Sequence, residues 1–288
     1  MADPLRRSDL TLAARRVARR EPAPYLALRL LAAPHLQPWL AAGLAFMNRV
    51  DDVAETGTTA QRLAGLEQLG HQVDAALAGA PGPDPVIRAY AYAVRERGLP
   101  REWIDRFLQG AASAEAAFAG FAAEQDFQEY LDAYAWPGIV AFTGLQYPGG
   151  PDEAQAAGWR RFVDAAQRVD FLADLAGDLA DGRLCIPRDR LAAHGVTEDD
   201  LRGGKDSEAV RGLLADEARR ARGALDAAAG VAGLADPGLR RVVRVMTELM
   251  AHQLTAVERA GAGAVRRDVG YGVLAPLRIL GRAVAARP

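Results

Sequence analysis

The sequence predicts an all-α protein, and three observations carry that prediction. Apolar residues recur at helical spacing along nearly the whole chain, alternation of β-branched residues is absent, and proline and glycine clusters punctuate the periodic stretches. No connector is long or flexible enough to argue for a second domain, so residues 1–288 are expected to form one unit of long helices around a shared core.

Taken in order, the punctuation defines each element. A helix over 8–20 stops at Pro22-Ala23-Pro24, and a second over 24–33 stops at Ala33-Pro34-His35, because proline removes a backbone donor and crowds the preceding turn. Helices over 37–54 and 59–78 are parted by Glu55-Thr56-Gly57-Thr58. The run Gly79–Pro85 leads into a helix over 85–97, and Arg97-Gly98-Leu99-Pro100 separates it from one over 101–118. Helices over 127–145 and 153–181 flank Gln146–Glu153. Residues 183–206 are the longest irregular stretch and are expected to cover an opening. Helices over 207–229, 236–260 and 272–285 complete the chain.

Composition narrows the function classes. A formal charge of −2 gives no support for nucleic-acid binding. Lys205 is the only lysine, so the basic charge is almost all arginine. One cysteine, Cys185, rules out an intramolecular disulfide and fits a reducing compartment. The first 25 residues lack the apolar core of a secretory signal, and the most apolar run, from Tyr25, is interrupted by Arg29, Pro34 and His35. A soluble, cytoplasmic protein is expected. The four histidines, His35, His71, His194 and His252, show no metal-ligand spacing.

Two acidic clusters work against local electrostatics. In "RVDFLADLAGDLADGR" the acids Asp170, Asp174 and Asp178 fall one helical turn apart on one face, with Asp181 following. Like charges at that spacing cost about 0.2–0.5 kcal/mol per pair. In "AFMNRVDDVAETG" the acids Asp51, Asp52 and Glu55 close an otherwise apolar helix, at the end the macrodipole makes unfavourable for anions. The flanks are too apolar for solvated faces, so each cluster is expected to meet a cation. Hard oxygen donors without His or Cys select Mg²⁺, which prefers one or two carboxylates together with substrate phosphates. Such ions would neutralise a departing diphosphate.

Together these stretches resemble the squalene/phytoene synthase family of all-α isoprenoid synthases. "LAFMNRVDDVAE" resembles its aromatic helix ending in a D-D-x-x-D-type motif. "QRVDFLADLAGDLADGRLCIPRDRLAAHGV" matches its second motif, with Gln167, Asp174, Asp178, Gly182, Arg183, Pro187, Leu191 and Gly195 in register. "QDFQEYLDAYAW" and "RVMTELMAHQLTAVERAGAGAV" resemble its later core helices, so the likeness runs from about Tyr25 to about Leu280. The resemblance implies an isoprenoid-synthase fold with a central cavity, and Mg²⁺ held by Asp51, Asp52 and Glu55 on one wall and by Asp174 and Asp178 on the other. It implies a prenyl diphosphate bound near Asn48, Gln167, Arg183 and Tyr134, its tail beside Leu44, Phe46, Phe142, Leu145 and Phe171.

Departures from the family pattern bear on the acceptor. Arginines of the family are replaced at Gln37, Asn48 and Ala173, its tyrosine at Leu44, its Ser-Phe pair within Ala23–Tyr25, and its second-motif asparagine by Asp170; Pro137 stands where a basic residue often does. Fewer phosphate donors argue for one prenyl diphosphate and a different nucleophile. The expected activity is therefore Mg²⁺-dependent prenyl transfer to a small aromatic acceptor, carbazole- or indole-like, in secondary metabolism, with Asp170, Tyr130 or Tyr134 accepting the ring proton. The alternatives are head-to-head coupling of two prenyl diphosphates, cyclisation of one, and a catalytically silent binding partner. Cys185 is expected to pack rather than react, and Arg266–Asp268 to form a solvated helix end.

Overall fold

A computed structural model describes residues 4–80, 82, 84–272 and 274–286. Among them every regular element is helical: α1 (Pro4–Arg20), α2 (Pro22–Leu31), α3 (Gln37–Glu55), α4 (Thr59–Leu77), α5 (Pro85–Arg97), α6 (Arg101–Gly110), α7 (Glu124–Tyr130), α8 (Trp136–Thr143), α9 (Glu153–Ala173), α10 (Leu175–Ala180), α11 (Arg188–Ala193), α12 (Glu198–Arg202), α13 (Glu208–Ala227), α14 (Val231–Leu234), α15 (Arg240–Ala260) and α16 (Leu274–Ala285). Pro81 and Pro83 of the expected break, and Val273 of the expected last helix, lie outside the described residues. No described helix is long and apolar enough to cross a membrane. Two compact units emerge. One contains the residues up to Ala117, Asp132–Trp159 and Ala232–Val243; the other contains Phe118–Leu131, Arg160–Val231 and the residues from Arg244 on.

In the first unit α3 packs against α1, α4, α5 and α8. Its buried Leu40, Leu44, Phe46, Val50 and Ala54 follow the apolar periodicity of the sequence. Phe46 stacks on Tyr90 with ring centroids 3.9 Å apart, and the Tyr90 hydroxyl donates to Ala141 O at 2.9 Å, which satisfies a fully buried phenol.

Two expected helices are broken by one close approach. The 101–118 helix ends as α-helix at Gly110 and continues as a π turn, Ala111–Glu115. A Cβ on Gly110 would stand 1.9 Å from Ala133 O, so only glycine lets the two backbones meet. The facing stretch is also a π turn, Leu131–Ala135, which divides the expected 127–145 helix into α7 and α8 before a 3-10 turn, Gly144–Gln146. Periodicity in sequence cannot register a single inserted residue of this kind.

The second unit is organised by aromatic rings and arginines. Phe118, Phe121, Phe127, Tyr130 and Phe171 form a cluster with centroids 5.1–6.2 Å apart, mostly edge to face. Arg168 binds Glu124 and reaches Asp164 at 2.6 Å, while its guanidinium lies 4.5 Å from the Phe127 ring centre. Burial alone would raise the Glu124 carboxyl, yet the hydrogen bonds from Arg168 and Gln128 and the charges of Arg168 and Arg220 hold it below the ordinary value. The stretch expected to be irregular, 183–206, contains two short helices instead. Pro187 precedes α11, and Thr197 caps α12 by accepting from Asp200 N at 3.1 Å.

Gly110→Ala is expected to destabilise the protein by about 3 kcal/mol, whereas Gly70→Ala, in open space on α4, should stabilise it by about 0.5–1 kcal/mol. Urea unfolding of both variants checks the contrast, and equal stabilities would refute the close approach at Gly110. Glu124→Gln should lower the melting temperature near neutral pH. Because a depressed carboxyl contributes stability only while ionised, that difference should shrink as pH falls below about 4. A difference constant with pH would assign the loss to shape rather than charge.

Candidate active site

The last turns of α3 carry the first acidic motif, within the first unit. Asp51 is half-buried, while Asp52 and Glu55 are exposed. The Tyr134 hydroxyl donates to Asp51 Oδ1 at 2.6 Å, and Arg20 pairs with Asp52. Burial pushes the Asp51 carboxyl up to about 7. The Glu55 and Glu115 carboxylates add to that rise, and the Tyr134 hydrogen bond and the Arg20 charge oppose it. Tyr134 belongs to the π turn Leu131–Ala135 and stacks on Phe107 with ring centroids 5.5 Å apart. The phenol expected to accept a substrate proton thus donates to the acidic motif.

The second motif lies in the second unit, and there the expected continuous 153–181 helix breaks at its middle acid. α9 ends at Ala173, Asp174 takes φ −99°, ψ 12°, and α10 begins at Leu175. An intruding segment causes the break. Val269 N donates to Ala173 O at 2.7 Å, and Gly177 N donates to Asp268 Oδ1 at 2.8 Å, so the helical bond between these two groups is replaced at both ends. Asp268 was expected at a solvated helix end; its partner is this break.

Asp170 and Asp174 are exposed and Asp178 is half-buried. Although Asp174 is exposed at its surface, partial desolvation by the surrounding protein, then the nearby Asp268 and Asp178, raise its carboxyl above the ordinary value. The buried Cys185 donates its thiol to Asp178 Oδ2 at 3.3 Å. Arg183 Nε lies 3.9 Å from Asp178 Oδ1, with its guanidinium 4.4 Å from the Phe118 ring centre. Gly182 makes this placement possible: the turn needs φ +81°, which glycine adopts at no steric cost.

The remaining expected site residues divide clearly. Within the first unit Phe46 and Leu145 are wholly buried, Leu44 and Asn48 nearly so, and Phe142 is half-buried. Gln37 is buried, accepts from Arg29, and donates to Ala32 O at 2.9 Å. Within the second unit Gln167 is half-buried on α9, and Phe171 belongs to the aromatic cluster. Within either unit, among the described residues, no three His, Cys, Asp or Glu side chains converge as a ready-made metal site. In the first motif the reason is visible, since Asp51 turns to Tyr134 and Asp52 to Arg20. Sequence reasoning missed Arg20, Glu115, Asp268 and the Cys185 contact. The available signals were weak: an arginine run, a lone acid among alanines, and the "RRD" tripeptide.

This all-helical chain, with an acidic motif on α3 and another at the α9–α10 break, has the isoprenoid-synthase fold. A family model described as squalene/phytoene synthase matches residues 18–275, and the chain belongs to that family, whose members are prenyltransferases. The chain is 26% identical to the presqualene diphosphate synthase of Rhodopseudomonas palustris over 257 residues, covering 89% of this chain and 90% of that protein. It is 28% identical to the bifunctional protein CrtB/UppS of Streptomyces coelicolor over 190 residues, 66% of this chain and only 33% of the length of that relative. The crystal structure of squalene synthase HpnC from Alicyclobacillus acidocaldarius aligns with a TM-score of 0.79 and 26% identity, covering 90% of this chain and 97% of that one.

Tyr134→Phe removes one hydrogen bond to a carboxylate and leaves the ring stack in place. Diphosphate release is expected to fall by about tenfold or more, with helix content by circular dichroism unchanged. Undiminished release would mean that the Asp51 orientation does not matter to turnover.

Proposed function

We propose that this chain is a prenyltransferase that couples two prenyl diphosphates head to head and releases diphosphate. The observation that carries the reading is the full-length likeness to a presqualene diphosphate synthase, in a chain that retains both acidic motifs.

Mg²⁺ belongs to the same proposal. Within the first unit Asp51, Asp52 and Glu55 would hold the ion, and within the second Asp174 and Asp178 would do so. The donors fit the ion: all are carboxylate oxygens. Asp51 and Asp174 also have carboxyls raised by burial and neighbouring acids, a condition that a bound cation relieves. When bound, Mg²⁺ supplies electrostatic stabilisation of the departing diphosphate. In this reading Tyr134 orients Asp51. Asp268, by capping Gly177, fixes the bend that presents Asp174, and Arg183 offers a guanidinium beside Asp178 to phosphate oxygens.

A second reading keeps an aromatic small molecule as the acceptor. It is favoured by Asn48 and Ala173, where the family carries arginines for phosphate. The relatives reported above are named for presqualene diphosphate and squalene rather than for aromatic products, so it ranks second.

Incubating the protein and Mg²⁺ with geranyl, farnesyl or geranylgeranyl diphosphate, with and without aromatic acceptors, separates the two readings by product mass. A doubled carbon skeleton formed without acceptor is the expected product. Release that requires an aromatic acceptor, with one prenyl mass added, would overturn head-to-head coupling. Asp51→Asn and Asp174→Asn should each lower release by about 100-fold or more at unchanged helix content. Full turnover in either variant would remove that acid from the site.

A further inference from the structure

The last turn of α3 carries acids and no basic residue, so a cation has to reach it from another element. α1 supplies one. It packs against α3 and α5 with Ala13 and Val17 buried, and it ends at Arg20, just before the proline that opens α2. Arg20 therefore stands in a last helical turn, where the macrodipole favours a cation, and its Nη1 donates to Asp52 Oδ1. Its charge also acts on Asp51. The neighbouring Arg16 and Arg49 are drawn instead to Asp84, at 3.9 and 3.4 Å.

The same unit shows how a permanent pair is built. Arg88 grips the buried Asp9 through Nε and Nη2, at 2.8 and 2.7 Å. Arg20 and Asp52 meet through one guanidinium nitrogen, and their side chains are 44% and 50% exposed. An exposed pair of that kind contributes little to stability, so a divalent ion with a preference for carboxylate oxygen can take its place. A guanidinium has five N–H donors in a planar fork, and the fork suits two oxygens of one phosphate.

We propose that Arg20 is an exchangeable ligand: it holds Asp52 until Mg²⁺ takes that carboxylate, then passes to the diphosphate of the substrate. The inference rests on the diphosphate chemistry proposed above, and it adds a residue outside both acidic motifs. Mg²⁺ prefers carboxylates together with phosphate oxygens, so exchange at Asp52 leaves the freed guanidinium beside the anion it suits. The consequence is a pair of effects with opposite signs. Arg20 opposes the ion when it comes alone, and favours it when it comes with diphosphate.

Calorimetric titration of the full chain reads the two effects separately, with Mg²⁺ alone and then with inorganic pyrophosphate at saturating Mg²⁺. Arg20→Gln should bind Mg²⁺ alone about threefold more tightly. It should bind pyrophosphate with Mg²⁺ about tenfold more weakly. Arg20→Lys keeps the charge but not the fork, so it should recover only part of the pyrophosphate affinity. Arg19→Gln, an equal loss of charge one residue away on the same exposed turn, should change neither affinity by more than about twofold. Melting temperatures show that the fold is kept, since both arginines are exposed. Equal effects of Arg19→Gln and Arg20→Gln would overturn the proposal, because a general field and not an exchange would explain them. So would a fall of both affinities in Arg20→Gln. A wild type that binds pyrophosphate with Mg²⁺ no better than Arg20→Gln does would remove Arg20 and leave the prenyltransferase reading standing. A wild type that binds no pyrophosphate at all would overturn both.

Discussion

A carboxylate set among apolar side chains must be given partners or lose its charge, and that requirement shapes both units of this chain. In the first, the end of α3 delivers Asp51 into a half-buried position where a phenol and an arginine support its charge against burial and two neighbouring acids. In the second, Asp174 and Asp178 sit with Asp268 close by, and a thiol and an arginine are the groups that approach Asp178. Both units leave a carboxyl with its proton affinity raised.

The backbone departures fall where those acids are aimed. Regular α-helix would carry 153–181 straight past Asp174; instead the 268–269 segment takes over the hydrogen bonds of Ala173 O and Gly177 N. Tyr134 likewise reaches Asp51 from a π turn, and that turn exists beside a glycine whose missing side chain admits Ala133 O. Breaks of this kind leave backbone groups needing new partners, and both are found next to the acidic motifs. The short helices α11 and α12 show the ordinary case, in which proline and a threonine cap define the elements.

Arginines that read as unremarkable in the sequence find specific partners in space. Arg29 donates to the Gln37 side chain, and Arg20, unremarkable in a basic run, reaches Asp52.

Local rules were enough to read the class of fold from the sequence. Helical period and proline–glycine punctuation depend only on neighbours within a few residues, and they placed α3, α4 and α5 within a residue or so at each end. The acids of both motifs were legible for the same reason: their spacing and apolar flanks are local facts. Tertiary structure alone decided the rest. The break at Asp174 depends on residues more than ninety positions away, the π turns on a backbone contact between Gly110 and Ala133, and the hold on Asp51 on a tyrosine eighty-three positions downstream. Each is a hydrogen bond or steric contact between segments distant in sequence, and such contacts leave no periodic trace in the chain that makes them.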